Sequence, residues 1–159
     1  MPDRVRAVSD ITITDNIALI TLHHPDANAS LIPDIFARIA ERGINVDMIS
    51  LARSCKSRAT LSFTIENHLV GEAMGLMGRW KEKIPGISCD ISADNSKLTV
   101  QGAAMYRTYG VAAQVLATVV ESGGETRLIT TADNEISLLI PDADADTVYR
   151  ALKQQFLSE

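Results

Sequence analysis

The chain has 159 residues, 46% of them apolar but only 4% aromatic, and a formal charge of −5 at neutral pH. That acidic balance, without a run of Lys and Arg, argues against nucleic acid or an anionic membrane as partner, because both need a basic patch. Two cysteines without CxxC spacing, no apolar run long enough to span a bilayer and no signal peptide lead to the expectation of a cytoplasmic protein with reduced thiols and no structural zinc.

From the N-terminus, residues 4–13 alternate as a strand, and residues 16–22 (NIALITL) form a second one that leads into a loop, HPDANAS. Ile32, Ile35, Phe36, Ile39 and Ala40 then recur at helical spacing, with Asp34, Arg38, Glu41 and Arg42 facing water. Ser30 suits the N-cap and Pro33 the first turn. Gly43 ends the stripe in a position that favours a left-handed C′ residue, with Ile44 folding back on the last turn. Residues 44–50 (INVDMIS) alternate as a strand with Ile44, Val46 and Met48 buried. A hairpin brings in residues 60–65, and residues 66–83 form a helix with Leu69, Ala73, Leu76, Met77 and Trp80 on one face, Met74 being assigned to the core as well. Pro85-Gly86 ends it, and residues 87–91 form a further strand.

A turn at Asp94-Asn95 precedes residues 97–101, after which the pattern repeats. Displaced by about 80 residues, Ala112, Val115, Leu116, Val119 and Val120 fall under the first helix's stripe, Gly110 falls under Ser30 and Gly123 under Gly43. A hairpin (126–131 and 135–140, turned at Asp133-Asn134) and an acidic-started helix over 142–157 complete this second copy, which lacks a fourth strand. The N-terminus has one strand too many, so residues 4–11 are expected to cross over and fill that place. The fold class is α+β: two ferredoxin-like βαββαβ units, each with both helices on one face of an antiparallel sheet, spanning 14–93 and 94–159 plus 4–11.

The segments VRAVSDITIT, FARIAERGINVDMISL, LTVQGAAMYRTYGVAAQVLATVVESGG and ISLLIPDADADTVYRALKQQF resemble, in order and spacing, the tandem ACT domains that regulate aspartokinase, and the likeness covers essentially the whole chain. The resemblance implies a module that binds an end-product amino acid, lysine or threonine, at an interface between ACT units of a homodimer, and that turns down a separate aspartokinase catalytic domain or subunit. No phosphate-binding glycine loop with its lysine is present, so the chain itself is expected to be no enzyme and to need no cofactor or metal. A helix N-terminus suits the effector's carboxylate, which points to Asp26, Ala29, Ser30, Leu31 and Ile32; Asn45, Val46, Asp47 and Met48 supply the strand beside it, with Asp26 or Asp47 for the ammonium. Met105, Thr108, Tyr109 and Gly110 of the second copy are the alternative half of a composite site. The family's DxPG loop reads DANAS here, while Glu125 and Arg127 replace Asn45 and Asp47 in the second copy, so each copy keeps half of the set. The competing expectation is a structural dimerisation module that has lost its ligand.

Overall fold

The computed structural model describes residues 6–24, 31–53 and 58–158. The chain falls into two compact units, Asn16–Ala93 and Met1–Asp15 with Asp94–Glu159.

In the unit Asn16–Ala93, the second part of β1 (Asp10–His24) is followed by α1 (Leu31–Glu41), β2 (Ile49–Arg53), β3 (Ala59–Glu66), α2 (Val70–Lys83) and the first part of β4 (Ser88–Gln101). The strand order is β2-β3-β1-β4, with β3 antiparallel to both β1 and β2. Ile20, Leu22, Phe63 and Ile65 from the sheet meet Ile35 and Ile39 of α1 and Ala73, Leu76, Met77 and Trp80 of α2 in one buried cluster. In the other unit, the second part of β4 is followed by α3 (Val111–Glu121), β5 (Leu128–Ala132), β6 (Glu135–Pro141) and α4 (Asp142–Leu157), in the order β1-β4-β6-β5. Val8 and Ile11, from the start of the chain, share this unit's core with Leu98, Val100, Val115, Val119, Leu138, Val148 and Leu152. Ser9 N–H donates to the Gln101 carbonyl at 2.8 Å. Gly102 lets the N-terminal segment come this close, since a Cβ there would stand 1.8 Å from the Ala7 carbonyl oxygen.

Both first helices end on the same pair of hydrogen bonds. Gly43 N–H reaches Ala40 O and Ile44 N–H reaches Ile39 O; Gly123 and Gly124 repeat this with Val120 and Val119. Gly43 and Gly123 have φ of 70° and 82°, the left-handed C′ residue of a Schellman motif.

Four sequence expectations need correction. Residues 10–13 and 16–22 do not form separate strands, nor do 88–91 and 97–101: β1 and β4 run on as 15- and 14-residue strands, and residues 6–9, expected in the first strand, precede it. The signal at Asp94-Asn95 produces a local change of direction rather than a reversal, with Asp94 at φ 57° and, in β1, Asn16 at φ 62°; short polar side chains make that conformation affordable. Met74 is 59% exposed and not core, because α2 turns it to the outer side with Gly71, Gly75 and Gly78. The helix stripes are narrower than the periodicity suggests, burying 35 and 39 in α1 and 111, 115 and 119 in α3. Ala40, Ala112, Leu116 and Val120 are exposed, whereas Phe36 stays half-buried with its ring against that of Phe63, at 5.5 Å between centroids. Finally, the regular ladder of β2 starts at Ile49 and not at Ile44.

Candidate functional site

That late start of β2 shapes the region where the sequence places an effector. Asp47 N–H donates to the Thr64 carbonyl at 3.1 Å, while Thr64 N–H donates to the Met48 carbonyl at 3.0 Å. Two residues of one strand thus face one of its partner, which is a β-bulge. Met48 N–H would be orphaned by it, and donates instead to the hydroxyl of Thr64 at 3.0 Å. Thr64 is 1% exposed, so the bond sits where an unpaired donor would cost about 1–3 kcal/mol. Sequence reasoning missed this residue: within TLSFTI a threonine is an ordinary strand former, and its role depends on a bulge that leaves no signature in a single sequence.

Alternation up to the bulge separates the candidate residues. Ile44 and Val46 pack on the helix-side core, whereas Asn45 and Asp47 are exposed on the side of the sheet away from the helices; Met48, opposite Thr64, is buried outside that core. Leu31 and Ile32 open α1 with side chains packed on that same core, leaving backbone N–H groups as their polar contribution. Heights can be compared from the Ile44–Ile39 hydrogen bond that ties the lower ends together. Eight helical residues back to Leu31 rise about 12 Å, and four extended residues on to Met48 rise about 13 Å. The start of α1 and the Asp47–Met48 pair are therefore level, but the exposed side chains of Asn45 and Asp47 and the helix lie on opposite faces. β2 is an edge strand, so this face is open to a further surface at one side. Asp26, Ala29 and Ser30 lie outside the described residues, as does Cys55.

The corresponding stretch of the second copy is complete. A short 3-10 turn, Met105–Arg107, leads to Gly110, whose φ of 86° starts α3 with no side-chain cap, so the first N–H groups of that helix keep no side-chain acceptor. Met105 is buried at 8% exposure, the Thr108 hydroxyl donates to Ala104 O at 2.9 Å, and the Tyr109 side chain stands fully in solvent. Where the first copy has Asn45 and Asp47, Glu125 and Arg127 approach each other at 3.8 Å, a loose exposed pair. Arg127 N–H bonds Leu139 O at 2.8 Å, as Asp47 does Thr64, but Leu139 offers no hydroxyl.

Among the described residues no group of three or more His, Cys, Asp or Glu is placed to hold a metal, and no helix is long and apolar enough to cross a membrane. Cys89 is a partly buried free thiol whose pKa is pushed up by burial.

Comparison with known proteins agrees with this architecture. Residues 98–156 match the ACT domain family. The aspartokinase of Thermus thermophilus is 28% identical over 153 residues, covering 95% of this chain and 38% of its own length; Aspartokinase 2 of Bacillus subtilis is 20% identical, with 94% and 36% covered. The chain thus spans less than four-tenths of these relatives. The ligand-free regulatory subunit of aspartate kinase from Thermus thermophilus superimposes with a TM-score of 0.85 at 27% identity, covering 96% of this chain and 100% of that one. Residues 98–156 thus carry an ACT domain, and over nearly all its length the chain is built like the regulatory subunit of aspartate kinase, not like its catalytic domain.

Proposed function

We propose that this chain senses an amino acid, lysine or threonine, and so regulates an aspartokinase catalytic domain or subunit in the cytoplasm. Asp47 receives the effector's ammonium and Asn45 its remaining polar groups, with Val46 and Met48 fixing the strand between them. The effector's carboxylate lies at a helix start: that of α1, with Asp26, Ala29, Ser30, Leu31 and Ile32, or in a composite site that of α3, with Met105, Thr108, Tyr109 and Gly110.

The observation that carries this reading is the exposure of Asn45 and Asp47 on the stretch leading into the edge strand β2, where the Thr64 hydroxyl fixes the backbone at Met48. A rigid strand offers an acceptor at small entropic cost on binding. Because those two side chains point away from the α1 start, the site is completed by a surface beyond this face, which makes ligand binding and homodimer formation one linked equilibrium.

The test is a thermal-shift screen of the purified chain against the standard amino acids. Lysine or threonine at about 100 times Kd stabilises by about 2.7 kcal/mol, on the order of 5–10 °C in Tm for a chain of this size. Asp47→Ala removes a charge-assisted partner and weakens binding by about 2 kcal/mol, roughly thirtyfold. A cooperatively melting dimer that shifts with no amino acid would instead identify a ligand-free association module.

A further inference from the structure

We propose that the groove between α1 and α2, on the helical side of the unit Asn16–Ala93, binds a tetrahedral oxyanion of the phosphate type. The site is separate from Asn45 and Asp47, which face the other side of the sheet, and the proposal stands whether or not those residues bind an effector.

Charge is the first observation. In a chain with a formal charge of −5, Arg38, Arg42, Arg79 and Lys83 line a single cavity of about 70 Å³, with Glu41 as the only carboxylate among its lining residues. Asp34 and Glu72 engage Arg38 and Arg42 at 3.0 and 3.3 Å. Arg79 and Lys83 have no carboxylate partner among the described residues, which leaves two cations to be compensated. The second observation is a donor. Trp80 lines the same cavity, is 4% exposed, and its Nε1–H has no hydrogen-bond acceptor among the described residues. A buried N–H without an acceptor forfeits its hydration with nothing in return, and such groups are rare enough to need an explanation. An oxyanion answers both observations: it neutralises the cations and accepts from the indole.

The cavity suits that ligand better than an amino acid. One water needs on the order of 10–15 Å³ of such volume, so there is room for a few waters or a single oxyanion. An ammonium group would meet four cations. Nε1 is enclosed in this conformation, and Arg79 and Lys83, which line the same cavity, are long, exposed side chains that can move to admit an anion. The equivalent groove between α3 and α4, lined by Thr118, Glu121, Ser122 and Gln154, has no cation and serves as an internal control.

Trp80 is the only tryptophan, so the indole N–H gives one resonance in a ¹H–¹⁵N spectrum of the full chain. Titration with inorganic phosphate, against sodium chloride at matched ionic strength, is expected to move it downfield with saturation. Amide shifts should cluster around 38–42 and 79–83 and be absent around 118–122 and 151–158. Trp80→Phe keeps an aromatic ring but removes the donor, and should weaken phosphate binding about tenfold by calorimetry. Arg79→Gln with Lys83→Gln, both on the surface, should weaken it at least tenfold while leaving the fold intact. Methyl phosphate separates the sources: equal binding identifies a phosphorylated small molecule, and binding of inorganic phosphate alone identifies the free anion. An indole resonance that responds equally to chloride, or variants that bind phosphate as the wild type does, would overturn the proposal.

Discussion

The two copies of the βαββαβ unit share their backbone devices and differ in the side chains around them. Both first helices close on the same pair of hydrogen bonds around a left-handed glycine, and in both the strand after that helix bonds at the same place to its neighbour, through Asp47 or Arg127. The residue following the glycine differs: Ile44 plugs the core of one unit, whereas at Gly124 a Cβ would lie 2.4 Å from Val148 Cγ2, because α4 already fills that space. Thr64 adds a hydroxyl acceptor for the strand's next N–H that Leu139 cannot supply, and exposed Asn45 and Asp47 give way to Glu125 and Arg127. The common bonds belong to the scaffold. What differs is concentrated on the outer faces, in the bulge and in the two helix grooves, where a partner or ligand makes contact.

The strongest way to break this comparison is at Gly102. The unit Asp94–Glu159 takes its fourth strand from the start of the chain, and Gly102 is where the two backbones touch; about 80 residues earlier the first copy has Leu22 in its core instead. A Cβ 1.8 Å from a carbonyl oxygen meets backbone and not a side chain that can turn aside. Gly102→Ala is therefore expected to cost about 3 kcal/mol, read as a lower urea midpoint, with hydrogen exchange accelerating first around Val8 and Ile11. A variant as stable as the wild type would mean that the N-terminal segment is not pinned at this point.

The bulge gives the next largest effect. Thr64→Val keeps the shape and the backbone bonds of β3 but leaves Met48 N–H buried without its acceptor, at a cost of about 1–2 kcal/mol. If Asp47 reads an effector, the same change should also weaken amino-acid binding without touching the ligand, because the strand that presents Asp47 loosens. Full affinity in Thr64→Val would separate the bulge from the site.

These two residues also mark what the sequence could and could not disclose. Periodicity, the glycine stops and the 80-residue repeat are local, and they located α3 and α4 to the residue and α1 to within one. The missing fourth strand of the second copy pointed to the crossing N-terminus, since an unfilled sheet position is a topological deficit visible in the order of elements alone. Gly102 gave no such sign: its need arises from a contact more than ninety residues away in sequence. β4 and β1 each read as two strands in the sequence because Asp94-Asn95 and Asn16 look like turn chemistry, and a single left-handed residue inside a strand uses the same residue types as a reversal. For the site, residue types indicated Asn45 and Asp47 as a pair, and alternation placed them on one face. That this face is opposite the α1 start could be read only once Ile44 and Val46 were seen packed on the helix-side core.

The smallest predicted effect tests whether the copies differ in stability as well as in surface. α2 contains Gly71, Gly75 and Gly78, whereas α4, its counterpart, has no glycine at all. Each glycine inside a helix costs about 1 kcal/mol relative to alanine. A Cβ at any of the three would meet nothing within 4 Å, so no packing reason holds them in place within the unit. Gly75→Ala is thus expected to stabilise by about 1 kcal/mol, visible in native-state hydrogen exchange as roughly fivefold greater protection of α2 amides, with the α4 amides unchanged. The direction of the result matters more than its size. Gly75 lies on the outer side of α2 near exposed Met74, so a gain in stability that left assembly unchanged would mark the glycines as unoptimised sequence. A gain accompanied by loss of self-association, measured by sedimentation of wild type and variant at equal concentration, would place a partner's backbone against this face, and the looser helix would then belong to the surface that regulates.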